Sequence, residues 1–341
     1  MESAYSHPVE IQEPASRLPS PLVPKKEPIR RPPELKSKRR TAPSAGHHSA
    51  RTEDWLTSAL QNRWQSYSER LEKCREEPTV ESVHELRVAT RRLISQLALV
   101  GCAFPSRKSR KLRRVLKRQL ESLSALRDLH VQRGFLEQHS TRFPQLNLLQ
   151  PFLEQQESEL TKHAAQQTNH RRAKKLEKWT AGLTASLAQA LKDDPRLNEA
   201  TASVLRRTGE AFAETANRWR AIDPSDRRTI HRTRVAFKKF RYMVETLPFG
   251  VTGLRKRDLR NLAYYQRKMG NIQDIEVIQA CITAFIERNE SAGTLLAPFR
   301  AYLQGRRNRA LRLFLKSADK LSGFWPAPGL STFQEFLQCA A

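Results

Sequence analysis

The sequence predicts an all-α protein made of two copies of one helical unit behind a basic tail. Three observations lead there. From Arg51 onward glycine is sparse and Leu, Ala, Gln, Glu, Arg and Lys dominate, all good helix formers. No segment sustains the apolar/polar alternation of a strand. The third observation is an internal repeat, described below.

The first 50 residues stand apart. Nine of the 19 prolines fall between Pro8 and Pro43, interleaved with basic clusters at Lys25-Lys26, Arg30-Arg31 and Lys36 to Arg40. Such a segment buries too little apolar surface to offset its ordering entropy, so residues 1–50 are expected to be a disordered cationic tail. It has no apolar stretch of the kind a secretory signal needs, and its glutamates argue against a transit peptide. Helix breaks are expected at Glu77-Pro78, Phe104-Pro105, Phe143-Pro144, Asp194-Pro195, Asp223-Pro224, Pro248 to Gly253 and Ser291 to Thr294. They delimit roughly eight helices, and short connections between long helices give antiparallel bundles.

The repeat relates residues 82–100 to residues 229–247. His84 matches His231, Arg87 matches Arg234, Val88-Ala89 matches Val235-Ala236, and Arg91-Arg92 matches Lys238-Lys239. An acidic-Pro-Thr/Ser turn precedes each copy, with Thr79 and Ser225 as expected N-caps. Further on, the segment Leu123 to Val131 mirrors Met269 to Val277, which pairs Asp128 with Asp274. The two units are expected over residues 51–192 and 193–341.

Helical phase turns this repeat into a geometry. With His231 at 0°, Arg234, Lys238 and Arg241 fall within an arc of roughly 80°, while Ala236, Phe240, Met243, Val244 and Leu247 gather opposite. In the first copy His84, Arg87 and Arg91 share one face, and Leu86, Ala89, Leu93, Leu97 and Val100 the other. The following helix is also densely basic in each unit, and Arg114 and Lys117 are candidates on the first of them. Arginine offers phosphate a planar fork, lysine a point charge and histidine a donor. A basic helix face is most often merely solvated; its return at the same phase in both copies points to a site.

The net charge of +26, from 61 Lys+Arg against 35 Asp+Glu, favours polyanionic partners. The four cysteines are scattered with no paired spacing, which implies neither a disulfide framework nor a zinc site and makes a cytoplasmic setting the default. No membrane span is expected. No Gly-rich phosphate loop, nucleophile elbow or H-E-x-x-H occurs, so no enzyme, cofactor or metal is expected.

The duplicated His-x-x-Arg-Val-Ala-x-Arg/Lys-Arg/Lys pattern, followed by Arg/Gln-Asp-hydrophobic-x-Val, resembles the CHAD family, the conserved histidine α-helical domain, from about Arg51 to Leu321. The resemblance implies two pseudo-symmetric four-helix bundles with a basic channel or groove between them that binds inorganic polyphosphate. Its basic motif falls on His84, Arg87, Arg91 and Arg92, and on His231, Arg234, Lys238, Lys239 and Arg241. Ile94 departs from the pattern, which usually places a cation there. Association with polyphosphate granules is a corollary. Weak, non-specific nucleic-acid binding is the alternative. Against it, Trp55, Trp64, Trp179 and Trp219 lie in apolar helical patterns, where they pack rather than stack on bases.

Overall fold

A computed structural model describes residues 55–193, 197–248 and 252–325, and among these there is no β-strand. The proline-rich tail, Cys339 and the Asp194-Pro195 break lie outside the described residues. Nine α-helices are described: α1 (Trp55–Glu76), α2 (Val80–Ala103), α3 (Arg107–His139), α4 (Gln150–Thr168), α5 (His170–Asp193), α6 (Leu197–Arg220), α7 (Arg227–Val244), α8 (Lys256–Ile286) and α9 (Ala292–Leu315). Short 3-10 helices follow α3 (Pro144–Leu149) and α9 (Ala318–Phe324).

The breaks fall where proline cannot continue a helix. Pro78 separates α1 from α2, Pro105 separates α2 from α3, and Pro224 lies between α6 and α7. The breaks at Asn169 and at Glu287–Ser291 have neither proline nor glycine; at the first, Asn169 ends α4 and caps α5, its Oδ1 accepting the Arg172 N–H at 2.9 Å. Thr79 caps α2 as expected, accepting from the Ser82 N–H at 3.1 Å. Ser225 does not cap α7. Its N–H and hydroxyl both donate to Asp223 Oδ1, and the neighbouring Asp226 takes the cap by accepting from the Arg228 N–H at 2.9 Å. The Asx turn of Asp223 uses up the serine, so the cap falls one residue later than expected, on Asp226, the residue that the repeat register aligns with Thr79.

Buried side chains gather into three clusters where the sequence suggested two. The first joins α1, α2, α3 and α5 through residues such as Leu60, Tyr67, Leu86, Leu93, Leu116 and Leu183. The second joins α6 to α9 through Phe237, Phe240, Met243, Leu262, Tyr265 and Phe314, and also takes Ala98 and Leu99 from α2. The third is shared by both halves: Leu129 and Leu136 of α3 meet Ile275, Ile278 and Ile282 of α8 and Phe299 and Leu303 of α9. Each fully buried Leu, Ile or Phe contributes about 1.5–3 kcal/mol relative to exposure. The tryptophans named above are half-buried against these clusters, and Lys111 and Lys175 sit over the Trp179 ring at 4.5 and 5.2 Å.

These cores fix the motif helices. The apolar stripe of α2 (Leu86, Ala89, Leu93, Leu97, Val100) and that of α7 (Ala236, Phe240, Met243, Val244), continued by Leu247 in the turn after it, are buried throughout. α2 packs on α3 and on α7, α7 on α8, and α8 on α3, so four helices close a ring.

Candidate anion-binding cleft

Inside that ring lies a cleft of about 860 Å³, and every residue lining it belongs to α2, α3, α7 or α8. His84, Arg87 and Arg91 from the first copy of the motif face His231, Arg234, Lys238, Lys239 and Arg241 from the second. Helix α3 adds Arg113, Lys117 and Arg127. Asp128 and Asp274 are the carboxylates among the lining residues. The basic faces that helical phase assigned to two distant segments therefore point into one space.

Two candidates fall outside it. Arg92 is drawn away by Glu245, its Nε donating to Oε2 at 3.1 Å. It follows Arg91 by one residue, a rotation of about 100° that takes it off the row. Arg114 is exposed and does not line the cleft, whereas its neighbour Arg113 does. On α3 the lining residues run Arg113, Lys117, Leu120, Ser124, Arg127 and Val131, alternating steps of four and three. Arg113 thus lies one turn before Lys117 on the same stripe, and extending the phase backward from Lys117 would have found it. Gln273 and Arg127 were also missed, although both stand immediately before the paired aspartates.

Each motif histidine meets the residue in that position. His231 Nδ1 is hydrogen-bonded to Gln273 Oε1. His84 is lowered from its ordinary pKa by burial, then by the charges of Arg127 and Arg87. It is exposed at the surface, and an anion that offset those arginines would raise it again.

The cations are held at a cost in solvation. Burial, followed by the charge of Arg91, pushes the Arg87 guanidinium down to about 10. Lys238 falls to about 6, through burial first and then repulsion from Arg91, Arg234 and Arg87. Arg234 and Lys239 are lowered mainly by burial as well. Asp274 is raised by desolvation and by Asp128, against the opposing pull of Arg234 and Lys238. It touches solvent at the cleft, yet protein crowds it on the other sides.

Hydrogen bonds show the same unmet demand. Arg87 Nε has a partner in Ser124 Oγ at 3.3 Å. By contrast, the Nε atoms of Arg113, Arg234 and Arg241 are buried and unpartnered, as is Gln266 Oε1. An unpaired buried donor costs about 1–3 kcal/mol, more when charged, and a phosphate oxygen would relieve it. Arg241 is half committed, because its Nη2 meets Glu245 Oε1 at 2.6 Å. The same glutamate holds Arg92, and its carbonyl accepts from Arg63 Nη2 at 2.9 Å. Ile94 lines the cleft at the position matching Arg241, so the first copy presents an apolar surface there.

Fold and site together define a helical protein with a desolvated cationic cleft. A family model for the CHAD domain matches residues 58–283, and the chain belongs to that family, which is known for polyphosphate binding. The crystal structure of the CHAD domain from the plant Ricinus communis superposes with a TM-score of 0.59 at 20% identity, covering 79% of this chain and 91% of that one. At that identity the likeness concerns the fold alone. No curated protein matches the sequence. Among the described residues no helix is long and apolar enough to cross a membrane.

Proposed function

We propose that the protein binds inorganic polyphosphate in this cleft as a non-enzymatic, electrostatic receptor. One observation carries the reading: cations of both repeats converge on one cleft with buried N–H donors left unpartnered. A linear chain of phosphates supplies closely spaced charge and acceptor oxygens with no bulky group between them. Each arginine contact then exchanges a desolvation penalty for a charge-assisted hydrogen bond. Counterion release makes affinity fall with salt, with a slope of about 0.7 per neutralised phosphate by analogy with single-stranded nucleic acid.

Nucleic acid fits the cleft less well. Bases need exposed aromatic faces between the cations. The lining aromatic residue is Tyr242, which is only 5% exposed. Targeting to polyphosphate granules is a further part of this proposal.

The test is a titration of residues 51–341 with labelled long-chain polyphosphate, in competition with single-stranded RNA and duplex DNA. A variant with His231, Arg234, Lys238 and Arg241 changed to alanine runs beside it. Polyphosphate should win at equal phosphate concentration, and the variant should lose most of its affinity. Equal competition by RNA with an unaffected variant would refute the reading. Shortening of the polymer in the presence of divalent metal would refute its non-enzymatic part.

A further inference from the structure

On the side of the second repeat the cleft continues outward. His231 and Gln273 line both the cleft and an open groove of about 370 Å³ between the start of α7 and α8. Arg227, Arg228 and Arg232 line that groove. All three are exposed, and among the described residues their side chains make no hydrogen bond or ion pair. The carboxylate in the groove wall, Glu276, is buried and held by Arg307 at 2.9 Å, so it neutralises none of them. Asp223 and Asp226, just before α7, accept from the N–H groups of Ser225 and Arg228 and do not line the groove. His231 stands at the corner of the two spaces. Arg234 and Lys238 lie within about 60° of it around the helix on the cleft side, and Arg228 and Arg232 within about 100° on the other.

The first repeat reverses these charges. With His84 and His231 in register, Val80, Glu81 and Glu85 stand where the second repeat has Arg227, Arg228 and Arg232. Glu81 is exposed and, among the described residues, unpaired, while Glu85 meets Lys73 at 3.3 Å. Two carboxylates thus flank His84, and three guanidinium groups flank His231.

From this placement we propose that a polyphosphate chain too long for the cleft leaves it past His231 and lies along the groove against Arg228 and Arg232, while Glu81 and Glu85 keep it from leaving past His84. The inference rests on the function proposed above and gives that site a direction. Screening confines the influence of these exposed charges to about 8 Å at physiological salt, so they act on phosphates that have passed a histidine and not on those deep in the cleft. A short oligomer held in the cleft is therefore indifferent to them. Exposed charge pairs are each good for at most about fivefold, so Arg228 and Arg232 together should contribute about tenfold to long chains. Two phosphates neutralised there should steepen the salt slope by about 1.4.

The experiment titrates the full chain with tripolyphosphate and with long-chain polyphosphate at two salt concentrations, each ligand compared with itself across variants. Arg228→Ala with Arg232→Ala should leave tripolyphosphate binding within about twofold, weaken long-chain binding about tenfold and lower its salt slope by about 1.4. Retained tripolyphosphate binding also reports that this variant is folded. Glu81→Arg with Glu85→Arg should open a second way out and tighten long-chain binding about tenfold, again without changing tripolyphosphate. An arginine variant that binds long chains as the unaltered protein does, or that loses both ligands alike, overturns the proposal. So does a glutamate variant that gains nothing. Arg234→Ala with Lys238→Ala separates this failure from that of the cleft itself. If that variant loses tripolyphosphate while the groove variants change nothing, the groove falls and the cleft stands. If it binds both ligands as before, the cleft falls as the polyphosphate site and the exit groove falls with it.

Discussion

Polyphosphate binding at pH 8 should draw about one proton onto Lys238. In the free protein burial and three arginines hold its amine at about 6, so at pH 8 roughly 1% of it is charged. Phosphates reaching Arg87, Arg91 and Arg234 replace that repulsion with attraction and carry the pKa back toward about 10. At pH 5 the amine is already about nine-tenths charged, and the uptake shrinks to about a tenth of a proton. Between these limits the Lys238 contribution to affinity weakens by up to about tenfold per pH unit as pH rises. The sign in folding follows the same rule. The unfolded chain keeps this proton up to about pH 10.5 and the folded chain loses it near 6, so stability rises with pH across that window. The penalty is complete below pH 6 and gone above about 10.5. Lys238→Met should therefore raise Tm at pH 7 and bring little gain at pH 10. Calorimetric titration at constant salt in Tris and in HEPES measures the uptake from the dependence of heat on buffer ionisation enthalpy. Zero uptake at pH 8, or equal uptake in Lys238→Met, would refute the argument.

Three further outcomes follow from particular contacts. Ile94→Arg places a guanidinium opposite Arg241 without a Glu245 equivalent, and should tighten polyphosphate binding roughly tenfold while steepening the salt slope by about 0.7; competition titration at two salt concentrations checks it. Arg113→Ala should weaken binding, whereas Arg114→Ala should leave it unchanged, since Arg113 alone of the two faces the cleft; both are read in the same titration. Glu276→Ala strands Arg307, which is 7% exposed and bonded to Glu276 at 2.9 Å between α8 and α9, and should cost about 3–5 kcal/mol in urea unfolding.

Much of this was legible in one dimension. Helix breaks at Pro78, Pro105 and Pro224, the Thr79 cap, and the buried stripes of α2 and α7 follow from local rules, because proline geometry and helical phase depend only on near neighbours. The same phase put His84, Arg87 and Arg91 on one face and His231, Arg234 and Lys238 on another, and the repeat showed that the two faces belong together.

What the residues could not state by themselves is how those faces meet. Arg92 and Glu245 are 153 positions apart, and only the packing of α2 against α7 brings them within 3.1 Å. That contact removes Arg92 from the row and half occupies Arg241. The exchange of Arg114 for Arg113 rests on the roll of α3 about its axis, which Leu112 and Leu116 set by entering the core. The low basicity of Lys238 has the same origin. A lysine in a basic helix is ordinary until a second helix brings Arg87 and Arg91 to it and takes away its water. Sequence alone determined which side chains are cationic and which way each helix turns them. Tertiary structure decided which of them share a desolvated space, because burial and repulsion are properties of distance between elements and not of position along the chain.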